Sequence, residues 1–151
     1  MRRRRRLPGI VGPLLHDGVM PSESKYIAES IDRPAADVYA FASDPANLPE
    51  WAQGLGTGVK NVGGQWFVDT PQGRVAVAFA KFNEFGVLDH EVTFASGETF
   101  YNPMRVIADG DGSEVVFTLR RPAGMNDDDF DRDAGLVAAD LARLKRVLED
   151  G

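Results

Sequence analysis

His90 is the residue whose setting says most about chemistry. It lies in Leu88-Asp89-His90-Glu91-Val92-Thr93-Phe94, where apolar and polar residues alternate as in a strand. A three-residue loop, Ala95-Ser96-Gly97, with Gly97 left-handed, pairs Phe94 with Glu98 and sets His90 opposite Asn102. An imidazole titrating near neutrality beside an amide can orient a ligand's oxygen, or move a proton as acid or base. The competing reading is a core pair in which imidazole and amide satisfy each other. Asp89 and Glu91 point to the opposite face of a regular strand, so no relay with His90 forms unless a bulge intervenes.

Little else competes for a catalytic role. The chain has no cysteine and only one other histidine, His16. Disulfides, thiolate metal sites and Cys nucleophiles are therefore excluded, and a reducing, cytoplasmic setting fits. Asp109-Gly110-Asp111-Gly112-Ser113 imitates part of a calcium loop but lacks its length and terminal Glu, which leaves ordinary turn chemistry. No phosphate-cradling glycine loop, Gly-x-Ser-x-Gly elbow or His-Glu-x-x-His occurs. No metal and no cofactor are expected.

The same register defines a wall around the pair. It places Val92 opposite Phe100 and Leu88 opposite Met104, whereas a two-residue loop would bring Tyr101 and Arg105 beside Val92 and Leu88. The first choice joins more apolar side chains. Beyond Asp109-Gly110-Asp111-Gly112, Val106, Met104 and Asn102 fall opposite Val115, Phe117 and Leu119. In the earlier hairpin Trp66 and Val68 face Val77 and Val75. The resulting apolar surface comprises Trp66, Val68, Val75, Val77, Phe79, Leu88, Val92, Phe94, Phe100, Met104, Phe117 and Leu119. Pro103 is expected to force an edge or a bulge that could flip the register beyond it.

The elements that must carry this surface follow from periodicity. Lys25–Ile31 reads as a strand, Ala35–Ala42 as a short helix after Pro34, and Ala46–Ala52 as a second one. Strands are expected over Val59–Val62, Gln65–Asp69, Arg74–Phe82, Val87–Phe94, Glu98–Ile107 and Glu114–Arg121, with Gly63-Gly64 as a two-residue hairpin loop. Asn126 caps a long helix whose first turn holds Asp127, Asp128 and Asp129, as the helix dipole favours. Its apolar stripe is Phe130, Ala134, Val137, Leu141, Leu144 and Leu148. Helices at both ends of an antiparallel meander make an α+β domain.

At 151 residues, 43% apolar and 26% charged, the chain suffices for one domain and not two. From Met20 onward 12 basic residues stand against 22 acidic ones, a net charge of −10. So acidic a body makes nucleic acid a poor partner. Residues 1–22, with Arg2–Arg6 and a Gly- and Pro-broken apolar stretch, read as a flexible extension. No signal-peptide cleavage site follows, and the apolar stretch is too short to span a membrane. The folded unit is expected over 23–150.

Seven strands at the usual spacing span roughly 29 Å, against about 10–12 Å for one helix with its side chains. A sheet curled round the terminal helix therefore keeps a hollow that large side chains fill or a ligand enters. The order of elements, with "IDRPAADVYAFASDPANLPEWAQG" and "DLARLKRVLE", resembles the START-like, helix-grip (SRPBCC) superfamily, especially its polyketide cyclase/dehydrase branch. The resemblance covers roughly residues 24 to 149 and rests on Pro34, Val38, Phe41, Asp44, Pro45 and Trp51. It implies a curved seven-stranded antiparallel sheet wrapped around the C-terminal helix, with two short helices after the first strand. It implies no shared catalytic set.

The expected function is binding of a hydrophobic lipid-, polyketide- or aromatic-type molecule. His90 and Asn102 would orient it, and Trp51, Trp66, Phe79, Leu88, Val92, Phe100, Met104 and Phe117 would form the walls. One alternative is a cyclase/dehydrase-type enzyme using His90 for proton transfer. The other is a protein-interaction module with a vestigial cavity and an acidic surface.

Overall fold

The computed structural model describes residues 22–52 and 58–151. The expected N-terminal extension, save Ser22, lies outside them. The described chain runs β1 (Ser24–Ile31), α1 (Ala35–Ala42), one 3-10 turn (Pro45–Asn47) and α2 (Leu48–Trp51). A strand series follows: β2 (Gly58–Val62), β3 (Gln65–Thr70), β4 (Gly73–Phe79), β5 (His90–Thr93), β6 (Thr99–Asn102), β7 (Met104–Asp109) and β8 (Gly112–Arg120). The last element is α3 (Asp127–Asp150).

Local chemistry sets these boundaries. Pro34, with φ −55°, stands at the entrance of α1. The Asp44 carboxylate accepts from the Ala46 N–H and opens the 3-10 turn. Asn126 caps α3 by accepting from the Asp129 N–H at 2.8 Å. Gly63 and Gly64 both take positive φ, 61° and 88°, as the two-residue β2–β3 turn requires.

All but one of the expected pairings are found. Trp66 pairs with Val77 and Val68 with Val75. His90 pairs with Asn102 and Val92 with Phe100, while Met104 meets Phe117 and Val106 meets Val115. The strand count differs from seven. Pro103 offers no N–H, and the expected strand 98–107 breaks there into β6 and β7. Eight strands result, in the orders β1-β8-β7 and β2-β3-β4-β5-β6. The break leaves the register intact. The Pro103 carbonyl accepts from the Thr118 N–H at 2.9 Å, and Val87 bridges Arg105 in line with the β5–β6 pairing. Asn102 therefore stays with His90, and the expected Asn102–Leu119 pairing is absent from the β7–β8 ladder.

Helix α3 is held to the sheet at its C-terminal end. Leu141, Leu144 and Leu148 are buried in the main core with Ile31, Val38 and Val115. Arg33 donates to the Leu148 carbonyl at 2.7 Å, Lys145 to the Ser30 carbonyl at 2.6 Å, and the Glu149 carboxylate accepts from the Asp32 N–H at 2.8 Å. The Arg33 guanidinium on a carbonyl of the last turn suits the negative end of the helix. Towards the other end of α3, Val137 is half-buried and Leu136 is 53% exposed. In the first turn Phe130 is buried again, beneath Lys25 of β1, which also pairs with Asp131, so the half-exposed stretch lies between two anchored ends.

Candidate functional site

A cavity of about 230 Å³ lies between the sheet and the middle of α3. Strand alternation supplies its floor: Val77 and Phe79 from β4, His90 and Val92 from β5, Phe117 and Leu119 from β8, with Asn102 from β6. Leu48 and Trp51 of α2, followed by Ala52, close one side. From α3 come Asp133, Leu136, Val137, Asp140 and Leu141, the i, i+3, i+4, i+7 and i+8 positions of one helix face. The walls are apolar except for the His90–Asn102 pair and the two carboxylates.

His90 is 7% exposed and lies between aromatic rings, 5.1 Å from Phe79 and 5.9 Å from Phe117 between centroids. Its Nδ1–H donates to the Leu88 carbonyl at 3.0 Å, which leaves the lone pair on Nε2. The Asn102 side-chain amide lies 3.4 Å from Nε2 and donates to it in this tautomer. Burial pushes the imidazole pKa below its ordinary value of 6.5, although the Leu88 carbonyl and the Asp89 charge pull the other way. At neutral pH the cavity thus holds a neutral ring with an acceptor nitrogen, loosely covered by an amide.

The backbone has been rearranged to produce this. In a regular antiparallel pair, residues such as Leu88 and Met104 exchange two main-chain hydrogen bonds. One is made, Leu88 N–H to the Met104 carbonyl at 2.8 Å. The return bond is replaced. Met104 N–H donates to Asp89 Oδ1 at 2.9 Å, and the Leu88 carbonyl accepts from His90 instead. Asp89 is itself buried on the outer face, where Tyr101 donates to it at 2.6 Å and Arg105 through two nitrogens at 3.2 and 3.1 Å. Burial alone would raise the Asp89 pKa. The donors Arg105, Tyr101 and Met104 outweigh it and hold the group below 3.8. As expected, Asp89 forms no relay with His90; it helps to set the ring's backbone partner.

Two features of α2 and α3 were not legible beforehand. The Trp51 indole N–H is buried and has no hydrogen-bond partner among the described residues. Asp140 pairs with Arg143, whose Nε donates to the Trp51 carbonyl at 3.3 Å.

Of the expected wall residues, His90, Asn102, Trp51, Phe79, Val92 and Phe117 line the cavity. Trp66, Leu88, Phe100 and Met104 do not. Leu88 and Met104 are each 1% exposed in the main core, and α1 packs on β7 and β8 and covers that part of the concave face. Phe100 sits on the end strand β6 in an edge contact with Phe94, 5.5 Å between centroids. Trp66 lies half-buried on β3, towards the opposite end of that sheet. Leu48, Val137 and Leu141 were legible as inward-facing but not as cavity walls, and Ala52, Asp133, Leu136 and Asp140 were missed; the spacing of the last three alongside the apolar stripe was the available signal.

Among the described residues no group of three or more His, Cys, Asp or Glu is placed to hold a metal ion. No described helix is long and apolar enough to cross a membrane.

A curved antiparallel sheet closed on a long C-terminal helix, with a cavity between them, defines the α+β helix-grip class. Residues 27–149 match the family model described as polyketide cyclase / dehydrase and lipid transport, and the chain belongs to that family. Solved structures agree in fold. DynU16, from the dynemicin biosynthetic locus, is 17% identical over 85% of this chain and 48% of its own, with a TM-score of 0.64. The di-domain ARO/CYC BexL from the BE-7585A biosynthetic pathway is 15% identical over 84% of this chain and 46% of its own, at 0.64. The Aha1 dimer from Colwellia psychrerythraea gives 14%, 84%, 96% and 0.66 respectively. The chain thus spans about half the length of the DynU16 and BexL chains. No curated protein matches the sequence.

Proposed function

We propose that the chain binds a hydrophobic small molecule, of lipid, polyketide or aromatic type, in the cavity beneath α3. The observation that carries this is the apolar hollow whose inner wall presents His90 Nε2 under a long, replaceable contact from Asn102. A ligand hydroxyl would displace the amide and donate to Nε2, while Phe79, Val92, Phe117 and Trp51 enclose the apolar body. Membership of a family described by both cyclase and lipid-transport members supports a cavity ligand. The open cavity argues against an interaction module with a vestigial pocket.

A second reading, cyclase/dehydrase-type chemistry, draws on the same lone pair. Locking Nδ1–H onto Leu88 leaves Nε2 as a free base facing the cavity, where it could accept a proton from a bound substrate.

Calorimetric titration with α-naphthalenemethanol tests the binding reading. Wild-type protein should bind it, and His90→Ala should bind about tenfold more weakly, the worth of one hydrogen bond, while still melting cooperatively. If His90→Ala does not fold, Asn102→Ala, which removes the amide competing for Nε2, should bind the alcohol at least as tightly as the wild type. No binding to the wild type, or equal affinity after loss of the imidazole, would overturn the proposal.

A further inference from the structure

The cavity has a charge as well as a shape. The residues of α3 that reach it include two carboxylates, and among its described lining residues there is no Lys or Arg. Asp140 is engaged with Arg143. Asp133 is different: half-buried, it makes no ion pair or hydrogen bond with the described residues. Its helix neighbours are otherwise occupied, since Arg132 pairs with Asp129 and Lys25 with Asp131. Asp133 lies one turn before Leu136 and Val137, on the stretch of α3 where Leu136 is half exposed. Half-buried itself, it stands on the solvent side of the lining, with His90 on the floor.

We propose, building on the binding reading above, that this site selects its ligand by charge. It takes neutral or, better, cationic amphiphiles carrying a protonated amine, and it rejects carboxylate- and phosphate-bearing ones. The apolar body would lie against Phe79 and Phe117, a hydroxyl would meet His90, and the amine would meet Asp133 at the rim. A carboxylate at that end would face Asp133 with no cation on the lining to offset the repulsion. At a partly solvated rim this like-charge contact is weakened but not abolished, because screening at physiological ionic strength acts beyond about 8 Å. The acidic body, −10 from Met20 onward, adds repulsion of the same sign at longer range.

Three probes sharing one ring system isolate the effect: α-naphthylmethylamine, α-naphthalenemethanol and α-naphthoate, titrated calorimetrically at low salt. The amine should bind at least tenfold more tightly than the acid, with the alcohol between them. In Asp133→Asn the amine-to-acid ratio, each referred to the alcohol, should fall to about two. Asp111→Asn, in the exposed β7–β8 turn, removes the same net charge and should keep the wild-type ratio. If none of the three probes binds, it is the binding reading that fails. If the alcohol binds and the acid matches or exceeds the amine, charge selection is overturned while binding stands. An equal collapse of the ratio in both variants would assign the effect to overall charge and remove Asp133 from the site.

Discussion

His90 owes its chemical state to three neighbours rather than to a catalytic partner. The Leu88 carbonyl fixes its tautomer, and the rings of Phe79 and Phe117 keep water from its charged form. Because burial depresses its pKa, the unfolded chain takes up the proton first as pH falls. The native state is then fully favoured above about 6.5 and loses stability as pH drops from there towards the lowered folded value. Asp89, also depressed, adds a second loss at more acidic pH, below 3.8 and through its own folded value. Urea midpoints measured from pH 8 to 3 should show both limbs, and His90→Gln should flatten the upper limb alone. An unchanged upper limb in that variant would show that another group titrates there. The His90–Asn102 pair was readable from loop length and strand alternation. The burial of Asp89 was within reach of the same arithmetic: on the outer face it lies opposite Pro103, so its diagonal neighbours are Tyr101 and Arg105. What alternation does not encode is that Met104 would turn its N–H to that carboxylate.

Among the elements, the connection between β4 and β5 departs most from expectation. Strand character was anticipated from 74 to 82 and again from 87, yet β4 ends at Phe79 and β5 begins at His90. Asn83 explains the detour. Its side-chain oxygen accepts from the N–H groups of Phe85 and Val87, and its amide donates to the carbonyls of Lys81 and Val87. Side-chain bonds of this kind compete with a ladder and are invisible to hydrophobic periodicity. The detour closes on Gly86, at φ +71°, where an added Cβ would lie 2.2 Å from the Val106 carbonyl oxygen. Gly86 also accepts from the Val106 N–H at 2.9 Å, so the strand that carries Met104 is anchored here. Gly86→Ala should therefore lower stability by about 2–4 kcal/mol, through strain in φ and a backbone clash that no rotamer relieves. Gly97→Ala, at similar φ but in open space, should cost less. Denaturation showing equal losses would mean that the close approach to Val106 is unimportant.

For the whole molecule, comparing sheet width with helix width correctly implied a hollow, but it could not say where the hollow would lie. It assumed that only the terminal helix covers the concave face. In fact α1 lies on β7 and β8 and takes Leu88 and Met104 into the core, while α2 walls the remaining space with Leu48 and Trp51. The cavity is what three helices of unequal length leave uncovered, and its walls forgo contacts that packing would supply. Stability and binding should then oppose each other at Val137, half-buried on the α3 face that roofs the space. Val137→Phe would place a ring in the hollow without touching His90's hydrogen bonds. The melting temperature should rise by about 3–5 °C, the equivalent of roughly one kcal/mol in a domain of this size, and affinity for α-naphthalenemethanol should fall at least tenfold. A higher melting temperature with binding intact would put the ligand somewhere other than beneath α3. A lower one would mean that the walls are too rigid to accept the ring, and that the space is held open by packing around it rather than left by default.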